Sequence, residues 1–130
     1  MARAYTIATA ALTLEMPAKW LDNTLSHIQI TGVRQEKQGV ARRIAIDALV
    51  ILSIAALLIN ELGISLSRAA TMAETLASDN GLYTSQGGVA IQLDLEGLKS
   101  KLLERLEHAV EVAPIPKRGR PPKSKTGRLD

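Results

Sequence analysis

The stretch YTIATAALTLEMPAKWLDNTLSHI, residues 5–28, decides how the chain is read. Thr6 stands just before a run in which Ile7, Ala10, Ala11 and Leu14 fall on one helical face. Its hydroxyl can accept from the free N–H groups of a first turn, so a short helix is expected over residues 7–14. Pro17 is tolerated only in the first turn of a helix, so a second helix starts near it and runs through AKWLDNTLSHI. Glu15 and Met16 are left for the turn between the two helices.

In the second helix Ala18, Leu21, Leu25 and Ile28 recur at helical spacing and are expected to face the first. Lys19, Asp22, Asn23 and Ser26 are left pointing outward. A lysine reaches phosphate and an asparagine can pair bidentately with adenine, so Lys19, Asn23 and Ser26, with Trp20 beside them, form a candidate major-groove surface. An ordinary solvated face is the other reading.

Next comes ITGVRQEKQGVARRI, residues 30–44, where Val33 and Val40 flank a polar centre containing Gly39. The pattern is that of a hairpin. It would carry Arg34, Lys37, Arg42 and Arg43 on its strands and tip, a set suited to sequence-blind phosphate contacts. Alternatively it is a solvated loop in which Glu36 pairs with Lys37.

The segment ALVILSIAALLI, residues 48–59, is apolar without interruption and is closed by Asp47, Asn60 and Glu61. A bilayer span needs ~20 such residues, so a buried helix and no membrane contact are expected. Being apolar nearly all round, this helix must be covered by a second subunit or by the C-terminal elements. Gly63 suits a left-handed helix end, and Ser65 can cap a fourth helix with Leu66, Ala69, Ala70, Ala73 and Leu76 inward.

In DNGLYTSQGGVAIQLDL, residues 79–95, the period changes from helical to alternating, with Gly87 and Gly88 supplying a tight turn. A last helix follows to about residue 111, with Leu95, Leu98, Leu102, Leu106 and Val110 in one stripe. An isolated hairpin is marginal. Residues 79–113 are therefore read as a dimerisation module contacting its copy through Val89, Ile91, Leu93, Leu98, Leu102 and Leu106; packing back on the chain's own domain is the alternative.

Charge is uneven along the 130 residues. Residues 1–60 hold 6 Lys/Arg against 4 Asp/Glu, residues 61–113 hold 4 against 8, and residues 114–130 hold 6 against 1. Base at both ends suggests two contacts with a polyanion. The tail, which follows Pro114 and Pro116 and lacks periodicity, is expected to be disordered. No cysteine is present, which excludes disulfides and thiolate metal sites. His27 and His108 fall in separate helices and no nucleophile, carboxylate-pair or phosphate-loop constellation is recognisable, so neither enzyme activity nor a cofactor is expected.

The order helix, turn, helix, basic hairpin, long helix, LGISL, helix resembles a winged helix-turn-helix. YTIATAALTLEMPAKWLDNTLSHI together with ELGISLSRAATMAETL resembles the MerR-like family of bacterial regulators, over roughly residues 5–77. The resemblance implies a second helix in the major groove, a wing on the backbone and a dimer on a pseudo-palindrome. It places Lys19 where the family usually has a DNA-touching arginine, and Ala41, followed by Arg42 and Arg43, at the wing arginine position. The family's Arg-Tyr-Tyr-Glu run is replaced by Asp22 to Leu25, and its long coiled-coil helix by the hairpin and short helix.

The tail segment KRGRPPK, residues 117–123, resembles an AT-hook. In that reading Gly119 lets the backbone sink into an A·T-rich minor groove. Arg118 and Arg120 then occupy its enhanced negative potential beside Lys117, and Pro121 keeps the chain extended. A generic basic anchor is the alternative.

Together these readings give a mainly α chain: a winged helix-turn-helix over 1–78, a dimerisation module over 79–113 and a basic tail over 114–130. The expected function is that of a homodimeric, sequence-specific transcription regulator on double-stranded DNA, cytoplasmic and nucleoid-associated. An architectural or recombination accessory protein, and an antitoxin or other protein-interaction module, are the rival readings.

Overall fold

Residues 46–62, the most apolar segment, form the central helix of the computed structural model, which describes residues 4–34 and 42–112. Around it the order is β1 (Ala4–Tyr5), α1 (Ile7–Leu14), α2 (Ala18–His27), β2 (Val33–Arg34), β3 (Arg43–Ala45), α3 (Ile46–Leu62), α4 (Leu66–Ser78), β4 (Leu82–Thr84), β5 (Ala90–Gln92) and α5 (Leu95–Val112). The described residues are mainly helical, with two small antiparallel sheets.

The short N-terminal helices have local causes. Thr6 accepts from Thr9 N–H at 3.2 Å and caps α1, and Glu15 ends it in the left-handed region at φ 59°. Pro17 stands at the start of α2, as its N-cap. The buried side of α2 is Leu21, Thr24 and Leu25, whereas Ala18 is exposed. Thr24 takes the inward place because it lies on the same face as Leu21 and Leu25, three residues after the first of them.

The first sheet has the order β1-β3-β2. Ala4 pairs with Ala45 and Tyr5 with Ile44, while Val33 pairs with Ile44 and Arg34 with Arg43. The expected two-stranded hairpin is therefore joined by a strand from the chain's start, and β3 is central. Its Ile44 is fully buried. Residues 35–41 between β2 and β3, Lys37 among them, lie outside the described residues.

β3 passes into α3 without a linker, Ala45 being both its last residue and the helix N-cap. The helix thus begins one residue before Asp47 instead of after it. Its sides are covered by α4, α5, α1 and β3 of the same chain, and Ala48, Leu49, Leu52, Ile54 and Ala55 are all but inaccessible. Gly63 closes it in the left-handed region at φ 67°, as its lack of a Cβ permits. Ser65 stands at the N-cap of α4, but its side chain makes no capping bond. Among the described residues no helix is long and apolar enough to cross a membrane.

The C-terminal elements correct the expectation of a separate dimerisation module. Leu102 is 2% exposed and Leu106 5%, because α5 lies along α1 and touches α3. Both belong to the same hydrophobic core as Tyr5, Leu21 and Leu49, and Ile91, Leu93 and Leu98 pack against that core. The stripe on α5 is thus filled from within the chain as far as Leu106, while Val110 at its end stays exposed; the core also runs on across residue 78. Of the residues expected at a dimer contact, Val89 alone is well exposed, at 61%.

Gly81 stitches these elements together. Its N–H donates to the Leu76 carbonyl at the end of α4 and its own carbonyl accepts from Leu93 N–H, both at 2.7 Å. Its φ is +85°, and a Cβ here would run into the Leu93 carbonyl oxygen. Only glycine meets both demands.

Candidate nucleic-acid interface

α2 buries Leu21 and Leu25, so helical geometry turns Lys19, Asp22, Asn23, Ser26 and His27 to solvent. The two ends of this row are quiet. Lys19 has no ion pair among the described residues. His27 Nδ1 lies 2.8 Å from the Asn23 carbonyl one turn back, leaving the Asn23 side chain unengaged among the described residues. Trp20 departs from expectation: it is half-buried and packs against the core, so its ring braces α2 instead of projecting from it.

The middle of the row is occupied by Arg42. Its guanidinium donates to Asp22 Oδ1 at 2.6 Å and to Ser26 Oγ at 3.2 Å. Asp22 and Ser26 are one helical turn apart, which fits the two-pronged shape of the guanidinium. The arginine side chain is only 18% exposed while Asp22 is 58% exposed. Arg42 therefore lies flat on α2. Ser26 accepts from Arg42 while its own hydroxyl donates to the Asp22 carbonyl at 2.9 Å.

Arg34 and Arg43 are placed differently. They are direct cross-strand partners, and both are exposed. Alternation along β3 turns Arg43 away from buried Ile44. Like charges facing each other across a ladder repel. No carboxylate is paired with either among the described residues, so the pair is a cationic spot on the exposed face of the sheet.

The four expected sheet cations thus separate: Arg34 meets Arg43, Arg42 joins the α2 row with Ser26, and Lys37 lies outside the described residues. Lys117, Arg118, Gly119, Arg120 and Pro121 also lie outside them. Two carboxylates were missed as structural partners. Asp22 holds Arg42 from 20 residues away, and Glu74 on α4 accepts from Thr31 Oγ1 at 3.0 Å and from Thr31 N–H at 3.2 Å, fixing the segment after α2. The only sequence signal for either was its charge.

Among the described residues no group of three or more His, Asp or Glu side chains is placed to hold a metal ion. Comparison with protein-family models gives no match, and no curated protein matches the chain.

Proposed function

We propose that the chain is a sequence-specific protein of double-stranded DNA, a transcription regulator of winged helix-turn-helix type similar to the MerR-like family. In this reading α2 enters the major groove through Lys19, Asn23 and the residues around Ser26. Arg34 and Arg43 grip the sugar-phosphate backbone, and the tail residues Arg118 and Arg120 enter a neighbouring A·T-rich minor groove.

The observation that carries the reading is the Arg34–Arg43 pair. Two exposed arginines that are cross-strand partners, with no carboxylate paired to either among the described residues, repel one another. A phosphate between them turns that repulsion into two charge-assisted hydrogen bonds. A second copy is part of the proposal, as a pseudo-palindrome requires. Support for it lies in the exposed apolar side chains Leu82 and Val89 on the β4–β5 hairpin, not in the stripe of α5.

Selection of bound fragments from random duplex DNA with the full-length protein tests the reading. A recovered pseudo-palindrome flanked by A·T runs is the expected result. Enrichment of A·T-rich DNA without a motif would favour an architectural protein, and no enrichment at low salt would overturn DNA binding altogether.

A further inference from the structure

Among the described residues, Arg42 is the one cation of the sheet region that the fold takes away from solvent and fastens to α2. Two of its donors are spent on Asp22 and Ser26, and a guanidinium has five. The other three have no partner among the described residues. The guanidinium lies against the face that carries Lys19 and Asn23, since its two partners belong to the outward row formed by residues 19, 22, 23 and 26.

A carboxylate on a surface meant for a polyanion is a cost unless it does something else. Asp22 stands in the centre of that row and is more than half exposed, so by itself it repels phosphate. Its bond to Arg42 explains its presence. It neutralises the arginine's pull on the backbone and fixes the guanidinium plane, as a base edge requires and a phosphate does not.

Resting on the DNA-binding reading, we infer that Arg42 reads a base edge as part of the α2 surface and is not a phosphate clamp, and that Asp22 and Ser26 are its positioning residues. This separates it from its neighbour Arg43, which faces out of the sheet and is paired with no carboxylate among the described residues. The two adjacent arginines then have different work: one contributes discrimination, the other sequence-blind affinity.

The test uses the full-length chain, the duplex recovered by selection, and duplexes differing from it by single base pairs. Arg42→Ala should lose roughly 5- to 150-fold of discrimination at one base-pair position, the range of one bidentate base contact. Arg34→Ala should weaken all duplexes alike and lower the salt slope by about 1. Asp22→Asn removes a negative charge yet should lose the same discrimination as Arg42→Ala, and the double variant should be no worse than Arg42→Ala alone. Thermal unfolding of each variant separates this from simple loss of fold, which would lower binding to every duplex together. Asp22→Asn binding every duplex more tightly, or the two effects adding, would overturn the inference while leaving DNA binding in place. A wild-type chain that binds no duplex at low salt would instead remove the reading on which the inference rests.

Discussion

α2 and α5 look alike as sequences, each an apolar stripe at helical spacing with charged residues on the remaining sides, yet the fold uses them in opposite ways. α5 is absorbed, its Leu102 and Leu106 closing the core against α1. α2 gives up only Leu21, Thr24 and Leu25 and keeps a polar row outside, onto which a distant arginine is fastened. Periodicity says that a helix has a side to bury. It does not say whether the cover comes from the same chain or from another, because that depends on where the neighbouring elements arrive.

The sharpest way to break this contrast is at α5. Leu102→Ala should destabilise the fold by about 2–5 kcal/mol, the usual range for a buried leucine, as read from denaturant unfolding. The loss relative to the wild type should be the same at low and high protein concentration. A loss that changes with concentration would mean that α5 is completed by a second copy after all.

Gly81→Ala comes next. Positive φ and a blocked Cβ position together should remove about 1–3 kcal/mol, and the loss should appear as faster hydrogen exchange in β4, β5 and the first turn of α5.

On the other side of the comparison, Arg43→Ala should weaken duplex DNA binding and reduce its salt slope by about 1. Relief of the cross-strand repulsion should leave stability unchanged or slightly higher. A clear loss of stability would show that Arg43 is structural. Deleting residues 114–130 should likewise weaken binding and flatten its salt dependence, and an unchanged slope would remove the tail from the interface.

The smallest effect belongs to Arg105→Ala. Its bond to Glu15 is 3.6 Å long and both side chains are well exposed, so melting should move by the equivalent of no more than about 0.5 kcal/mol, and less in high salt.

What was legible in the sequence follows the range of the forces involved. Thr6, Pro17 and Gly63 act within one helical turn, and they mark α1, α2 and the end of α3 as found. β1 was not legible, since two residues have no periodicity and Ala4 acquires strand geometry only by pairing with Ala45. The polar row of α2 was readable as an outward face, including Lys19 and Asn23. Its central arginine was not, because the Arg42–Asp22 bond joins residues 20 apart and exists only in the folded chain. Trp20 was misplaced for the same kind of reason: a large apolar ring at the border of a stripe settles toward the core when a pocket is offered.

The direct passage from β3 into α3 has a mechanical consequence. Arg43 stands three residues before the start of the most deeply buried helix, with no loop between them to absorb a displacement. A load applied at that guanidinium is carried along a stiff strut into Leu49 and Leu52. Whatever seizes the sheet pulls on the whole core at once, so grip at the surface should register as a change in how the interior resists unfolding under force.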